Sequence, residues 1–144
     1  MKTWIAIIVS CACSLHGADF PPFTAGKGTV EFAKLPQQAE AAEMKMRLHS
    51  IEDASAIDLA KEKFQIIVPA AYRHSEKWGV FVWISPGDAP AIPADWEPVL
   101  AARKLIFVGA FKSGNPRNVF DRFRLALAAN TGMRERFNVD ARRV

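Results

Sequence analysis

Cysteine is almost missing. The 144-residue chain has two, Cys11 and Cys13, and both fall in its first fifteen residues. Those residues read as a removable leader, so the mature chain has no cysteine. That excludes a disulfide, a thiolate nucleophile and a Cys-ligated metal. Histidine is scarce too: His16, His49 and His74, none in a cluster with carboxylates. No metal-ligand spacing and no cofactor motif occurs. The longest uncharged, mostly apolar run, Trp4 to Leu15, has twelve residues. A membrane helix needs about twenty, which argues against a retained anchor. There is no internal repeat, no low-complexity tract and no basic-aromatic interleaving of the kind that binds nucleic acid.

What is present begins with an address. Lys2 supplies a positive charge, the apolar run follows, and His16-Gly17-Ala18 ends it with small residues. That is the layout of a secretory signal peptide over 1–18, cleaved after Ala18, for export to the periplasm or beyond the cell. Ile8-Val9-Ser10-Cys11 superficially matches a bacterial lipoprotein box, but too few apolar residues precede it. The remaining length suits one domain with one core. Residues 19–62 read as an N-terminal extension with a helix, and 63–144 as the core.

In the extension, Phe20-Pro21-Pro22-Phe23 is a stiff lead-in and Gly26-Lys27-Gly28 a flexible turn. Thr29 to Phe32 alternates like a short edge strand. Pro36 suits the first turn of a helix over Gln37 to His49. Its apolar positions Ala41, Met44 and Leu48 form one buried stripe, and Glu43 and Arg47 an i,i+4 surface pair. His49, at the helix end, suits the dipole there better than catalysis. Ile51 to Glu62 fits a second short helix or an irregular approach to the first core strand.

Three apolar runs organise the core: Phe64 to Val68, Gly79 to Ile84 and Lys104 to Val108. Their length, their Val, Ile and aromatic content, and their Gly and Pro borders read as strands. The last two do not alternate, as expected where helices cover both faces of a sheet. Arg73 to Lys77 is too short for a parallel crossover, so the first two strands are expected to be antiparallel neighbours. Asp95 and Pro98 start a short helix burying Trp96, Val99 and Leu100. The third strand then lies parallel to the second. Ser85-Pro86-Gly87-Asp88, at the carboxyl end of a strand, fits either an ordinary turn or a ligand-facing loop whose N–H groups stabilise an oxyanion.

Beyond Gly109, Asn115 and Pro116 signal a helix running to about Asn130, with Gly132 as its C-cap residue. Val119, Phe120, Phe123, Ala126 and Leu127 define the expected buried face, with Arg117, Asp121, Arg122 and Arg124 mostly outside. Asn138 to Val144 approaches a further strand. From Arg103 to Val144 there are ten Lys and Arg against three acids. That suits a solvated face or an anionic partner.

In order and spacing, several segments resemble the N-terminal half of an exported bacterial α/β-hydrolase of the esterase or polyhydroxyalkanoate-depolymerase type. They are Val68-Pro69 with Tyr72, Val82 to Asp88, Leu105 to Ala110, Ser113-Gly114-Asn115 and Val139-Asp140 before Arg142-Arg143-Val144. The resemblance implies a partial α/β three-layer sandwich: a mixed sheet with an antiparallel first strand pair and parallel following strands. It implies a serine on a G-x-S-x-G elbow after a strand beginning near Arg143, with acid and base later still. No G-x-S-x-G occurs here. The reading is therefore the front portion of a secreted carboxylic-ester hydrolase, with no catalytic residue in this chain, no metal and no cofactor. By position, Gly87 or Asp88 takes the oxyanion-donor role. A small ester or polyester would be the substrate of a full-length form only. Gly79 to Ile84, lacking its family neighbour, becomes an open edge suited to self-association.

Two alternatives stand beside this. One is a non-catalytic secreted module assembling through that edge. The other is a basic anion-binding protein using Arg117, Arg122, Arg124, Arg134, Arg136, Arg142 and Arg143. Neither requires nucleic acid or a membrane anchor.

Overall fold

A computed structural model describes residues 25–49 and 57–144. The leader, both cysteines, the Phe20–Phe23 lead-in and residues 50–56 lie outside the described residues. Among the described residues four strands are present: β1 (Gly26–Val30), β2 (Phe64–Val68), β3 (Gly79–Trp83) and β4 (Leu105–Ala110). Three α-helices accompany them: α1 (Ala41–Arg47), α2 (Trp96–Ala102) and α3 (Val119–Arg136). None is long and apolar enough to cross a membrane. The sheet is open and mixed, with order β1-β2-β4-β3. β1 and β4 both run antiparallel to β2, and β3 runs parallel to β4.

The expectation that β2 and β3 are neighbours is corrected: β4 lies between them. Their directions are opposed, as the short connection required, but ten residues from Pro69 to Trp78 also reach past an intervening strand. Strands are about 4.8 Å apart, so the skip is only about 10 Å. Gly26 and Gly28, expected in a turn, belong to β1 and pair with Val68 and Ile66.

Successive strand residues face opposite sides of a sheet. Phe64, Ile66 and Val68 join Ile106, Val108 and Ala110 in the larger core, against Leu125, Ala128, Ala129 and Met133 of α3. Ile67 and Phe107 point the other way, against Leu100 of α2. Helices therefore cover both faces, which is why the strand sequences run apolar without alternation.

Three helix expectations change. The first helix breaks at Glu40: Gln37–Ala39 form a 3-10 turn before α1, and Leu48 is 45% exposed. His49 follows α1 with φ +48°. In α2, Leu100 is buried but Val99 and Trp96 are exposed, at 57% and 38%. Trp96 still meets the Phe81 and Trp83 rings of β3 edge-on, with centroids 6.0 and 6.1 Å apart.

The third change is the largest. α3 starts at Asn118, whose side chain accepts from the Phe120 N–H at 2.8 Å, and not at Asn115. It runs through Gly132 to Arg136. Its buried face is Asp121, Arg124, Leu125, Ala128, Ala129, Gly132 and Met133, while Val119 and Phe123 lie outside. Two charged residues can point inward because their groups are engaged there. Arg124 Nε donates to the Ala39 carbonyl at 2.6 Å, and Arg124 Nη1 lies 3.7 Å from Asp121 Oδ1. Gly132 sits under the Phe32 ring, where any Cβ would overlap it. Close approach, and not helix termination, explains this glycine.

Candidate functional site

β3 and β4 are adjacent and parallel, so their carboxyl ends lie side by side. The chain leaves β3 for α2 on one face of the sheet and leaves β4 for α3 on the other. Connections diverging from neighbouring parallel strands leave the region at that end where α/β sheets commonly hold their ligands, and it is called the crevice below. Two loops border it, Ser85 to Ala89 and Phe111 to Arg117.

The loops are joined by backbone hydrogen bonds. The Lys112 N–H donates to the Asp88 carbonyl at 2.7 Å, and the Asn115 N–H to the Pro86 carbonyl at 2.9 Å. Gly114 permits this: a Cβ there would lie 2.8 Å from Asp88 Oδ1 and 3.3 Å from the Pro86 carbonyl oxygen. The Ser113 hydroxyl, fully buried, donates to the Ala110 carbonyl at 3.0 Å and closes the turn out of β4. Arg122 Nη2 reaches the Ser85 carbonyl at 3.5 Å, a weak contact. Asn115 thus ties one loop to the other and does not cap α3.

The two residues singled out as oxyanion donors differ. The Gly87 N–H donates to Ser85 Oγ at 3.1 Å and is occupied within its own turn. The Asp88 N–H has no partner among the described residues, and Asp88 is exposed. An N–H without an internal partner, on a loop braced by the Lys112 and Asn115 N–H groups, is available to a ligand. Ser85 is buried and followed by Pro86, so its hydroxyl serves the turn.

No acid–base pair accompanies this loop among the described residues. His74 Nδ1 lies 3.1 Å from the Tyr72 hydroxyl on the exposed connection between β2 and β3. His49 follows α1 and is exposed. Among the described residues no group of three His, Cys, Asp or Glu side chains could hold a metal.

The arginines of the C-terminal third are mostly bonded to the fold. Arg117 grips Glu62 with both terminal nitrogens, at 2.9 and 2.5 Å, and this partner holds its guanidinium pKa above the ordinary value. Arg136 donates to the Glu31 carbonyl at 2.6 Å and lies 5.1 Å from the Phe32 ring centroid; burial lowers its pKa. Arg142 pairs with Asp140 at 3.4 Å, and Arg143 donates to the Arg103 carbonyl at 2.6 Å. Arg117, Arg124, Arg136, Arg142 and Arg143 are therefore each held by a different group of the fold.

One further feature bears on the site. After α3 the chain turns along the free edge of β3. Val139 forms a parallel bridge with Trp78. The Trp78 N–H donates to the Asn138 carbonyl at 3.0 Å, the Asp140 N–H to the Trp78 carbonyl at 2.8 Å, and the Val80 N–H to the Arg143 carbonyl at 2.8 Å. Tyr72 pins the approach: its hydroxyl accepts from the Asn138 N–H at 3.0 Å, and its ring meets Trp78 and Phe137 edge-on, both at 5.5 Å. The sequence announced the strand-like end but not Tyr72 as its anchor, because that contact spans 66 residues.

Comparison with protein-family models, with curated proteins and with solved structures finds no match for this chain.

Proposed function

We propose that this chain is the N-terminal portion of an exported serine hydrolase acting on carboxylic esters, with an α/β-hydrolase-type sheet, and that it has no turnover by itself. The observation that carries the reading is the parallel bridge of Val139 to Trp78 beside the free edge of β3, after which a turn from Asp140 to Arg143 brings the Arg143 carbonyl to the Val80 N–H. A strand continuing that path would lie beside Gly79 to Ile84, with its carboxyl end at the crevice beside Asp88. In the family, the strand at this place delivers the nucleophilic serine at its carboxyl end, and the loop after the third strand supplies an oxyanion N–H. Asp88 fits that second role, since its N–H is free and its loop is braced. The nucleophile, acid and base would belong to residues beyond Val144.

Two measurements test this together. The first is the source DNA past codon 144. An open frame encoding G-x-S-x-G within about fifteen residues is expected, from the length of one strand and its turn. The second is hydrolysis of a p-nitrophenyl ester. The 144-residue chain should give the blank rate, and the extended chain a rate abolished by replacing the elbow serine. A stop codon directly after Val144, with native protein of that length accumulating in the host, would overturn the proposal.

A further inference from the structure

A cavity of about 530 Å³ is lined by Thr29, Lys61, Glu62, Lys63, Phe111 and Lys112, the last two from the loop that follows β4. Its floor is the end of the β2–β4 ladder, where the Phe111 N–H donates to the Lys63 carbonyl at 2.9 Å. Its rim holds three lysines. The carboxylates nearby do not neutralise them equally. Glu62 is gripped by Arg117 on both oxygens. Asp58 is engaged by Lys61 at 3.1 Å. Lys63 and Lys112 have no acidic partner among the described residues. The backbone of Lys112 is held in place, with φ +51° and its N–H bonded to the Asp88 carbonyl. The half-buried Phe111 ring and the lysine stems give the cavity an apolar lining beneath its charge.

We propose that this cavity binds a small organic carboxylate, with the carboxylate between Lys63 and Lys112 and a short apolar chain against Phe111. Unpaired cations around an apolar floor recognise an anion joined to a hydrocarbon better than either part alone. The proposal deepens the ester-hydrolase reading in one respect. An ester whose acid portion carries a second, free carboxylate would place its charge here and its reactive carbonyl toward Asp88, one hydrogen bond away from Lys112. That clause rests on the ester reading; carboxylate binding does not.

The test uses hexanoate, its uncharged amide and inorganic phosphate, titrated into the 15N-labelled chain. Hexanoate should shift the Thr29, Lys63, Phe111 and Lys112 amides saturably. Hexanamide and phosphate should each bind at least about tenfold more weakly, because each lacks one half of the recognition. Lys63→Gln with Lys112→Gln should weaken hexanoate by about tenfold or more, while Lys27→Gln, which removes a lysine paired with Glu97, should not. Equal binding of hexanamide or of phosphate, shifts confined to other residues, or an unchanged affinity in the double variant would each overturn the site. Binding is read without any hydrolysis, so failure of the ester assay leaves this result standing on its own.

Discussion

At the scale of single residues, Gly132 carries the sharpest consequence. It lies mid-helix, where glycine costs about 1 kcal/mol relative to alanine. Gly132→Ala would ordinarily stabilise such a helix. Here the added methyl meets the Phe32 ring, which is itself packed against Phe64 at 4.7 Å and under Arg136. The ring is buried, at 3% exposed, and displacing it would disturb both contacts. Overpacking of this kind costs about 1–3 kcal/mol and should exceed the propensity gain. The expected outcome is a lower midpoint of urea unfolding for Gly132→Ala. Phe32→Leu should be destabilising by itself yet less than additive with Gly132→Ala. An alanine variant as stable as the parent would show that Phe32 does not occupy this position. Nothing local in the sequence could expose the pair, since a glycine near a helix end is as readily a terminator. The contact joins residues 100 positions apart.

Elements were readable to different depths. β2, β3 and β4 stand out in the sequence because fully covered strands need uninterrupted Ile, Val and Phe, and Gly or Pro marks their ends. The inner face of α3 was not readable. Its aromatics drew the expected core to Val119, Phe120 and Phe123, yet the side against the sheet carries small residues and a buried Asp121–Arg124 pair. Charged residues are seldom inside unless paired, and the partner carbonyl of Ala39 is 85 residues away. The crevice divides the same way. Ser85 to Asp88 was singled out as a strand-ending loop, but the bracing by Lys112, Gly114 and Asn115 depends on strand order. The segment after α3 gives a prediction at this scale. Asp140 Oδ1 accepts from the Arg142 N–H at 3.0 Å, and the Arg143 N–H donates to the Asp140 carbonyl at 2.9 Å. The Arg142 backbone N–H first, and its side chain second, hold the Asp140 carboxyl below the ordinary aspartate value. Because the folded pKa is depressed, the contribution is present above the ordinary aspartate value of about 4 and is lost as pH falls through the folded value. Glu76, lowered by Lys104, has the same sign. Lys77 and Arg142 are the charges acting on Asp140. Protection of the Val80 amide against hydrogen exchange should therefore hold down to about pH 4 and fall as the pH drops further, ahead of the β4 amides. Asp140→Asn, which keeps an acceptor but does not titrate, should flatten that dependence. An unchanged pH profile in the variant would remove Asp140 from the role.

For the whole molecule, the free edge of β3 decides solution behaviour. The Gly79 N–H donates toward β4, to the Lys104 carbonyl at 2.8 Å, and the Val80 N–H points the other way, to Arg143. Alternation then directs the N–H groups of Val82 and Ile84 away from β4, and neither has a partner among the described residues. An apolar strand offering unpaired groups is a template for another strand. The chain at high concentration should thus self-associate, and the two orientations of the backbone allow a specific test. Val82→Pro deletes an N–H aimed at the free edge and leaves the β3–β4 ladder intact, as proline is tolerated on edge strands. Phe81→Pro deletes one aimed at β4, in the register Phe81–Phe107. Sedimentation velocity should find Val82→Pro folded and shifted toward monomer. Phe81→Pro should lose the cooperative melt, because a central ladder bond and a packed ring both go. If Val82→Pro associates as strongly as the parent, pairing does not run through this edge. The exposed apolar residues Val119 and Phe123 on the outer side of α3 would then be the surface to alter next.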